Sequence, residues 1–397
     1  MRLDRNSERA AVCGGERLIG TQWMARLGVA AACAVMLWCA VGAGEETSAK
    51  VETDLIAVDD DGSLLGRFRS DAEATLWIRR AGEQELEEFA RAELVGPTPG
   101  SSPTGWVCYS ERPRGAVLSA VYWSRSPQGE IRSLPTWMTD EEGTAWRLRL
   151  VHRVVPGAGL AMIWLDSLDA TLSPEGRVAL FDLTEHRLAG VFPPEFSITT
   201  SRASPLLGPD RDLILLGDVH FTGNTTTVGL WRVDPLTRLD VVEAPGWIDG
   251  FAAGADAEEA VACLAWAPFY LRLTVGGDAL AMDDEWSASL RETFGMNAAV
   301  AAAERGDGLT ILPWSFRFAE GVFCWINPTA RTLALATEEG GIEQEVPLPE
   351  GASSPNLRPA ASPNNRWFAW QTGEDVFTLY ERTNARITQQ TTVRVGP

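Results

Sequence analysis

Between Ser362 and Thr392 apolar and polar positions take turns in short blocks. A Ser-Pro turn closed by Asn364-Asn365 leads into the apolar run Trp367-Phe368-Ala369-Trp370. A Thr-Gly-Glu-Asp turn follows, then the alternating Val376-Phe377-Thr378-Leu379-Tyr380, a polar turn at Arg382–Asn384 and a short apolar stretch at Ile387. Period-two alternation bounded by turn residues predicts strand, turn, strand, turn, strand within about thirty residues. The same pattern recurs upstream at Val121-Tyr122-Trp123 with Ile131, at Ala179–Asp182 with Leu188, at Gly229–Asp234 with Val241, and at Phe323–Ile326. With a hairpin at Leu55 and a weak copy at Leu280–Phe294, this makes about seven units spaced roughly 45–65 residues apart, the period of four-stranded blades with insertions.

The hairpin is signalled by Asp54–Val58 and Leu64–Phe68 around Asp59-Asp60-Asp61-Gly62, an Asp-Gly turn between apolar runs. Three aspartates in succession raise a calcium loop. Such loops space their ligands at alternate positions and close on a glutamate, so a solvated turn is expected instead. Glu83–Leu94 places Leu86, Phe89, Ala90 and Leu94 on one helical face and predicts a short helix outside a blade. In Leu280–Phe294, Trp286, Leu290 and Phe294 recur every fourth residue and suit a helix better than a strand. Gly96–Gly105 is a Pro/Ser/Gly-rich loop.

Ser362-Pro363-Asn364-Asn365-Arg366, Ser173-Pro174-Glu175-Gly176-Arg177 and the stretched Ser204–Leu216 resemble the Ser-Pro-Asp-Gly-Arg turns of TolB-like, WD-repeat-like bacterial β-propellers. The resemblance covers about three blades; no Trp-Asp dipeptide ends the strands. It implies an all-β chain: a single β-propeller of about seven four-stranded blades (54–397) with short helical insertions. The ring is expected to close by placing Asp54–Val58 or its hairpin partner in one blade with Val376–Tyr380 or the strand at Ile387, because an open ring leaves unpaired edges. Thr139–Trp146, TDEEGTAW, is similar to the Asp-box of sialidase-type propellers, with Glu141 where the aspartate belongs.

Composition adds compartment and partner sign. Leu27–Gly44 is apolar throughout, preceded by Arg26 and followed by Glu45-Glu46. This is the form of a secretory signal peptide (1–44), with an uncleaved anchor as the alternative, and residues 45–53 read as a linker. A periplasmic or extracellular protein follows, touching the membrane only if the leader stays. The chain carries 34 basic and 54 acidic residues, net −20. So acidic a surface disfavours nucleic acid and favours a basic protein or peptide partner, with the propeller itself a monomer. Beyond the leader stand Cys108, Cys263 and Cys324, each among apolar neighbours; they read as buried thiols, or as one Cys263–Cys324 bridge.

Candidate chemistry is sparse. His152, His186 and His220 stand apart, without metal-ligand spacing, and no nucleophile elbow, phosphate loop or dinucleotide fingerprint occurs. No cofactor is expected. Most of the 16 tryptophans fall in strands, where large rings fill the widening gaps between blades. Trp137, Trp247 and Trp314 lie in loop-like surroundings and are the candidate contact residues, together with Asp218 and His220, which share one strand face. The expected function is a non-catalytic binding platform. The alternative is a carbohydrate-active enzyme with carboxylates at the channel mouth.

Overall fold

The computed structural model describes residues 51–112, 120–155, 157–167, 176–194, 196, 202–220, 223, 225–254, 256–264, 270–293, 317–319, 321–327, 330–337, 341–352 and 359–396. Residues Lys50–Pro397 form one compact unit. The first blade holds β1 (Glu52–Val58), β2 (Leu64–Arg69), β3 (Ala74–Arg79) and β4 (Glu87–Ala92). In the second are β5 (Leu94–Pro97), β6 (Val107–Arg112), β7 (Val121–Arg125) and β8 (Ile131–Ser133). The third has five strands: β9 (Trp137–Thr139), β10 (Ala145–Val155), β11 (Leu160–Ser167), β12 (Arg177–Asp182) and β13 (Arg187–Val191). The fourth comprises β14 (Arg202–Ala203), β15 (Leu213–His220), β16 (Thr225–Arg232) and β17 (Thr237–Pro245). The fifth comprises β18 (Ile248–Ala253), β19 (Glu259–Leu264), β20 (Tyr270–Gly276) and β21 (Ala279–Asp283), followed by α1 (Asp284–Thr293). The sixth contains β22 (Arg317–Ala319), β23 (Val322–Asn327), β24 (Thr332–Thr337) and β25 (Gly341–Pro347). The seventh contains β26 (Ala360–Ala361), β27 (Trp367–Gln371), β28 (Val376–Thr383) and β29 (Arg386–Arg394).

Each sheet is an antiparallel meander of strands consecutive in sequence, and the seven together make a seven-bladed β-propeller. The core lies between blades, where apolar residues of facing sheets interdigitate. Cys108 and Tyr122 of the second blade, for example, pack with Val151, Ile163 and Phe181 of the third. Rings fill these gaps as expected: Trp77 and Trp370 are wholly buried, and Tyr270 meets Phe323 edge-on at 5.0 Å between the fifth and sixth blades. Trp77 has a specific host. It lies directly opposite Gly66, where a Cβ would sit 2.1 Å from its ring.

The Ser-Pro turns have a physical role. In three blades a buried serine hydroxyl in the first turn accepts an N–H at or near the start of the second strand. Ser362 does so for Trp367 at 3.0 Å, Ser204 for Leu215 at 2.9 Å, and Ser101 for Cys108 at 3.1 Å. The hydroxyl satisfies a backbone donor that the tight turn would otherwise bury unpaired.

The expected closure is not what the chain does. β1 belongs wholly to the first blade and β26–β29 wholly to the seventh. The seam is sealed by packing: Val58, Leu64, Phe68 and Trp77 lie against Ala369, Phe377, Leu379 and Val393. Two hydrogen bonds add to it, Gln371 Nε2 to the Thr53 carbonyl at 2.8 Å and the Asn364 N–H to Asp60 Oδ1 at 3.1 Å.

The aspartate turn is not simply solvated either. Asp59 is buried and accepts from the Thr104 N–H at 3.0 Å and from the Ser102 and Thr104 hydroxyls, tying the first blade to the second. Asp60 faces the seventh blade, and Asp61 caps the N–H of Ser63 at 2.8 Å. Glu83–Leu94 is no helix; it contributes β4 and the start of β5. The strand β3, buried from Ala74 to Ile78, requires a ladder partner on its outer side, and that demand overrides the helical spacing. The weak copy at Leu280 divides into β21 and α1, whose Trp286 N–H is capped by Asp283 at 2.9 Å. No disulfide joins Cys263 and Cys324.

Candidate binding face

In an antiparallel meander the turns after the second strand and the crossings to the next blade emerge on one face. That face gathers the β2–β3, β6–β7 and β15–β16 turns with the β4–β5, β8–β9 and β17–β18 crossings. The third blade is elaborated here. Its inner strand β10 spans 11 residues and pairs through Ala145–Arg147 with the extra strand β9. The connecting turn is organised by Asp140, whose Oδ1 accepts the N–H groups of Glu142 (3.1 Å) and Thr144 (2.8 Å) and whose Oδ2 accepts the Trp146 indole N–H (2.8 Å). The turn carboxylate is therefore Asp140, one position before Glu141.

This hairpin carries Trp137, 49% exposed, with the Arg147 guanidinium 5.8 Å above its ring. Leu150, 38% exposed, lies on the same β10 beside an open groove of about 350 Å³ lined also by Pro97, Tyr122 and His152. The other predicted residues gather at a separate corner. Asp218 is buried on β15, and His220 at the strand's exposed end meets the Thr227 hydroxyl through Nε2 at 2.8 Å. Trp247, half-buried in the β17–β18 crossing, follows Gly246, whose carbonyl accepts the Thr226 hydroxyl at 2.8 Å. Asp218, His220 and Trp247 thus share the edge of the fourth blade, apart from Trp137. Trp314 lies outside the described residues.

Two arrangements escaped the sequence. The first lies on inner strands: Arg202 of β14 donates through Nε to the Asp249 carbonyl at 3.0 Å, with Nη2 4.0 Å from Oδ1. Arg153 of β10 is close enough that burial, then the Arg202 charge, depress its pKa, while Asp249 opposes the shift. Two guanidiniums and one carboxylate from three consecutive blades are brought together.

The second is the mouth of the seam between the first and second blades. An open groove of about 360 Å³ is lined by Ala72, Ala92, Glu93, Glu111, Arg112, Val121 and Trp123. Burial raises the Glu111 pKa above the ordinary carboxylate value, opposed by the neighbouring Trp123 indole. Beneath it Tyr109 is raised by burial and then by the Glu111 charge, against Arg125. Arg125 is 1% exposed, pairs with Glu87 at 2.5 Å and lies 5.4 Å from the Phe89 ring. Deeper in the same blade, burial pushes the Cys108 thiol up to about 12, a value that keeps it protonated and inert. Glu111 and Trp123 are ordinary strand residues in sequence; only the packing of one blade on the next makes them neighbours of Ala72 and Glu93.

Among the described residues no group of three or more His, Cys, Asp or Glu side chains is placed to hold a metal ion, and no helix is long and apolar enough to cross a membrane. No family model matches the sequence, and no curated protein does. Solved structures match at low identity. A proposed 6-phosphogluconolactonase from Bacteroides uniformis is 14% identical with a TM-score of 0.44, over 87% of this chain and 97% of that one. The complex of KlAtg21 with the coiled coil of AgAtg16 gives 10%, 0.49, 86% and 99%. The β-propeller domain of the Trilobed protease from Pyrococcus furiosus, described as having an open velcro topology, gives 11%, 0.41, 87% and 94%. The propeller is established by the seven sheets of the chain itself.

Proposed function

We propose that the protein is an exported β-propeller that works as a non-catalytic binding platform in the cell envelope, related to the TolB-like propellers whose Ser-Pro turns it repeats. The observation that carries this reading is where large apolar side chains face solvent. Among the described residues most of them sit on the second and third blades: Leu94, Val121, Ile131, Trp137 and Leu150. Leu94 and Val121 flank the groove at the first seam, and Trp137 and Leu150 stand on the β9–β10 elaboration. Exposed apolar groups gathered beside charge mark sites of association, as Leu94 and Val121 are at the first seam, and aromatic anchors carry most of the energy of such sites. The net charge of −20 sets the sign of the partner as basic. Export rests on the apolar Leu27–Gly44 segment; N-terminal sequencing from the envelope fraction is expected to begin near Gly44 or Glu45, and an intact segment recovered in membranes contradicts cleavage.

The test of the platform is capture from envelope extract at about 0.05 and about 0.5 M salt, beside a panel of glycoside and peptide substrates. The reading predicts a basic partner retained at low salt, released at high salt, and lost on Trp137→Ala. Turnover of any substrate that one Asp, Glu or His substitution abolishes in a folded protein replaces the platform with an enzyme.

A further inference from the structure

We propose that the central channel holds a binding site for a small oxyanion, a carboxylate or a phosphate, between Arg153 of β10 and Arg202 of β14; the site is independent of the platform's protein partner. The first strand of a four-stranded blade lines the channel of a propeller. In a chain of net charge −20, β10 and β14 reverse the sign. Their ionisable residues are Arg147, Arg149, His152, Arg153 and Arg202, with no carboxylate among them. Arg202 is held in place by the Asp249 carbonyl, which accepts from Nε at 3.0 Å. The Asp249 carboxylate, 60% exposed, stays 4.0 Å from Nη2, beyond hydrogen-bonding distance. Arg153 differs: among the described residues its guanidinium makes no hydrogen bond and no ion pair. A Cβ at Gly100 would sit 3.4 Å from Arg153 Cγ, so the stem is packed on the turn between β5 and β6. The first blade shows the alternative, a closed pair in which Arg67 meets Asp54 Oδ2 through Nε at 3.2 Å and Nη2 at 2.7 Å. At Arg153 burial, then the Arg202 charge, hold the pKa below the ordinary guanidinium value, and Asp249 offsets less than Arg202 removes. A guanidinium stays charged under such pressure. An oxyanion between the two replaces a like-charge repulsion with two attractions, and the guanidinium fork matches paired oxygens of a carboxylate or phosphate. Asp249 is then the internal competitor for the same cations.

The experiment titrates the full propeller with inorganic phosphate, succinate and methyl glucoside, sodium chloride being traded for the anion at constant ionic strength. The readout is the Arg153 Nε–H resonance, assigned through Arg153→Gln. The expected result is a saturable shift with phosphate or succinate and none with the glucoside; the tighter of the two anions assigns the ligand as a phosphate or a carboxylate. In calorimetry with that anion, Arg153→Gln weakens binding about tenfold or more, the scale of one charge-assisted hydrogen bond. Because Arg153 gives up no hydrogen bond, the variant is expected to melt no lower than the parent. Asp249→Asn removes the competing carboxylate, leaves the carbonyl that holds Arg202, and tightens the anion about two- to fivefold, the range of an exposed charge pair. Glu243→Gln, on the exposed face of β17, changes the net charge by the same unit and leaves the affinity unaltered. No saturable shift with either anion, unchanged affinity in Arg153→Gln, or equal tightening in Asp249→Asn and Glu243→Gln overturns the site. A saturable shift with the glucoside and neither anion overturns it in favour of a sugar site.

Discussion

Two seams of the same ring are built differently. Where the seventh blade meets the first, Trp77, Phe68 and Leu64 lock against Phe377, Leu379 and Val393, and the polar ties include a side-chain amide and a backbone N–H. Where the first meets the second, an apolar centre of Leu65, Leu76, Ile78 and Tyr109 gives way to a buried Arg125 paired with the exposed Glu87 and to the open groove of Glu111 and Trp123. Both seams join four-stranded sheets of similar size, so the difference comes from side chains and not from backbone plan. A ring needs every seam closed, but closing one with charges leaves desolvated groups that dry packing would not. The seam that joins the chain ends has a mainly apolar centre. The one beside it retains charge, and that is where the exposed apolar side chains begin.

The contrast can be broken in order of expected effect. Removing residues 51–58 takes away β1, uncovers the edge of β2 and strips Phe377 and Val393 of their neighbours. The expected outcome is loss of a cooperative thermal transition in calorimetry; a truncated protein melting with the parent contradicts sealing by packing. Trp77→Ala leaves a large cavity over Gly66 and is expected to cost about 3–5 kcal/mol in denaturant unfolding.

Asp59→Ala strips the second-blade loop of a buried acceptor that serves one backbone N–H and two hydroxyls, with an expected cost of about 2–3 kcal/mol. Asp60→Ala, on the seventh-blade side, is expected to cost about 1 kcal/mol or less. Equal costs at the two positions deny the asymmetry.

The smallest effect concerns Glu111. Its folded pKa lies above the unfolded value, so the protonated form is the one the fold favours, and this contribution to stability is lost as pH rises through the folded pKa. Glu111→Gln is therefore expected to raise the melting temperature slightly near pH 7, with the gain vanishing below the ordinary carboxylate range. A gain that persists in acid assigns the effect to packing.

Much of this architecture was legible in order of residues. The Ser-Pro turns at Ser204 and Ser362 mark first turns of blades because a buried hydroxyl satisfies an N–H near the start of the next strand, a local requirement that leaves a local signature. Aromatic strands such as Trp367–Trp370 are legible for the same reason. Glu83–Leu94 was not, since its helical spacing yields to the ladder that β3 demands from outside. The extra strand β9 hides in three residues. Ring closure and the Glu111 groove are properties of one blade facing another, and alternation along a strand says only that a residue leaves the sheet, not what it meets.

The most direct test of the two-seam account is hydrogen exchange of the intact protein read by peptide mass. The account predicts that β2–β3 and β27–β28, on either side of the apolar seam, exchange only with global unfolding. The groove-side ends of β6 and β7, Ser110–Arg112 and Val121–Trp123, should open sooner by local fluctuation. Earlier exchange in β27–β28 than at Ser110–Arg112 would contradict it, placing the weak seam where the chain ends meet.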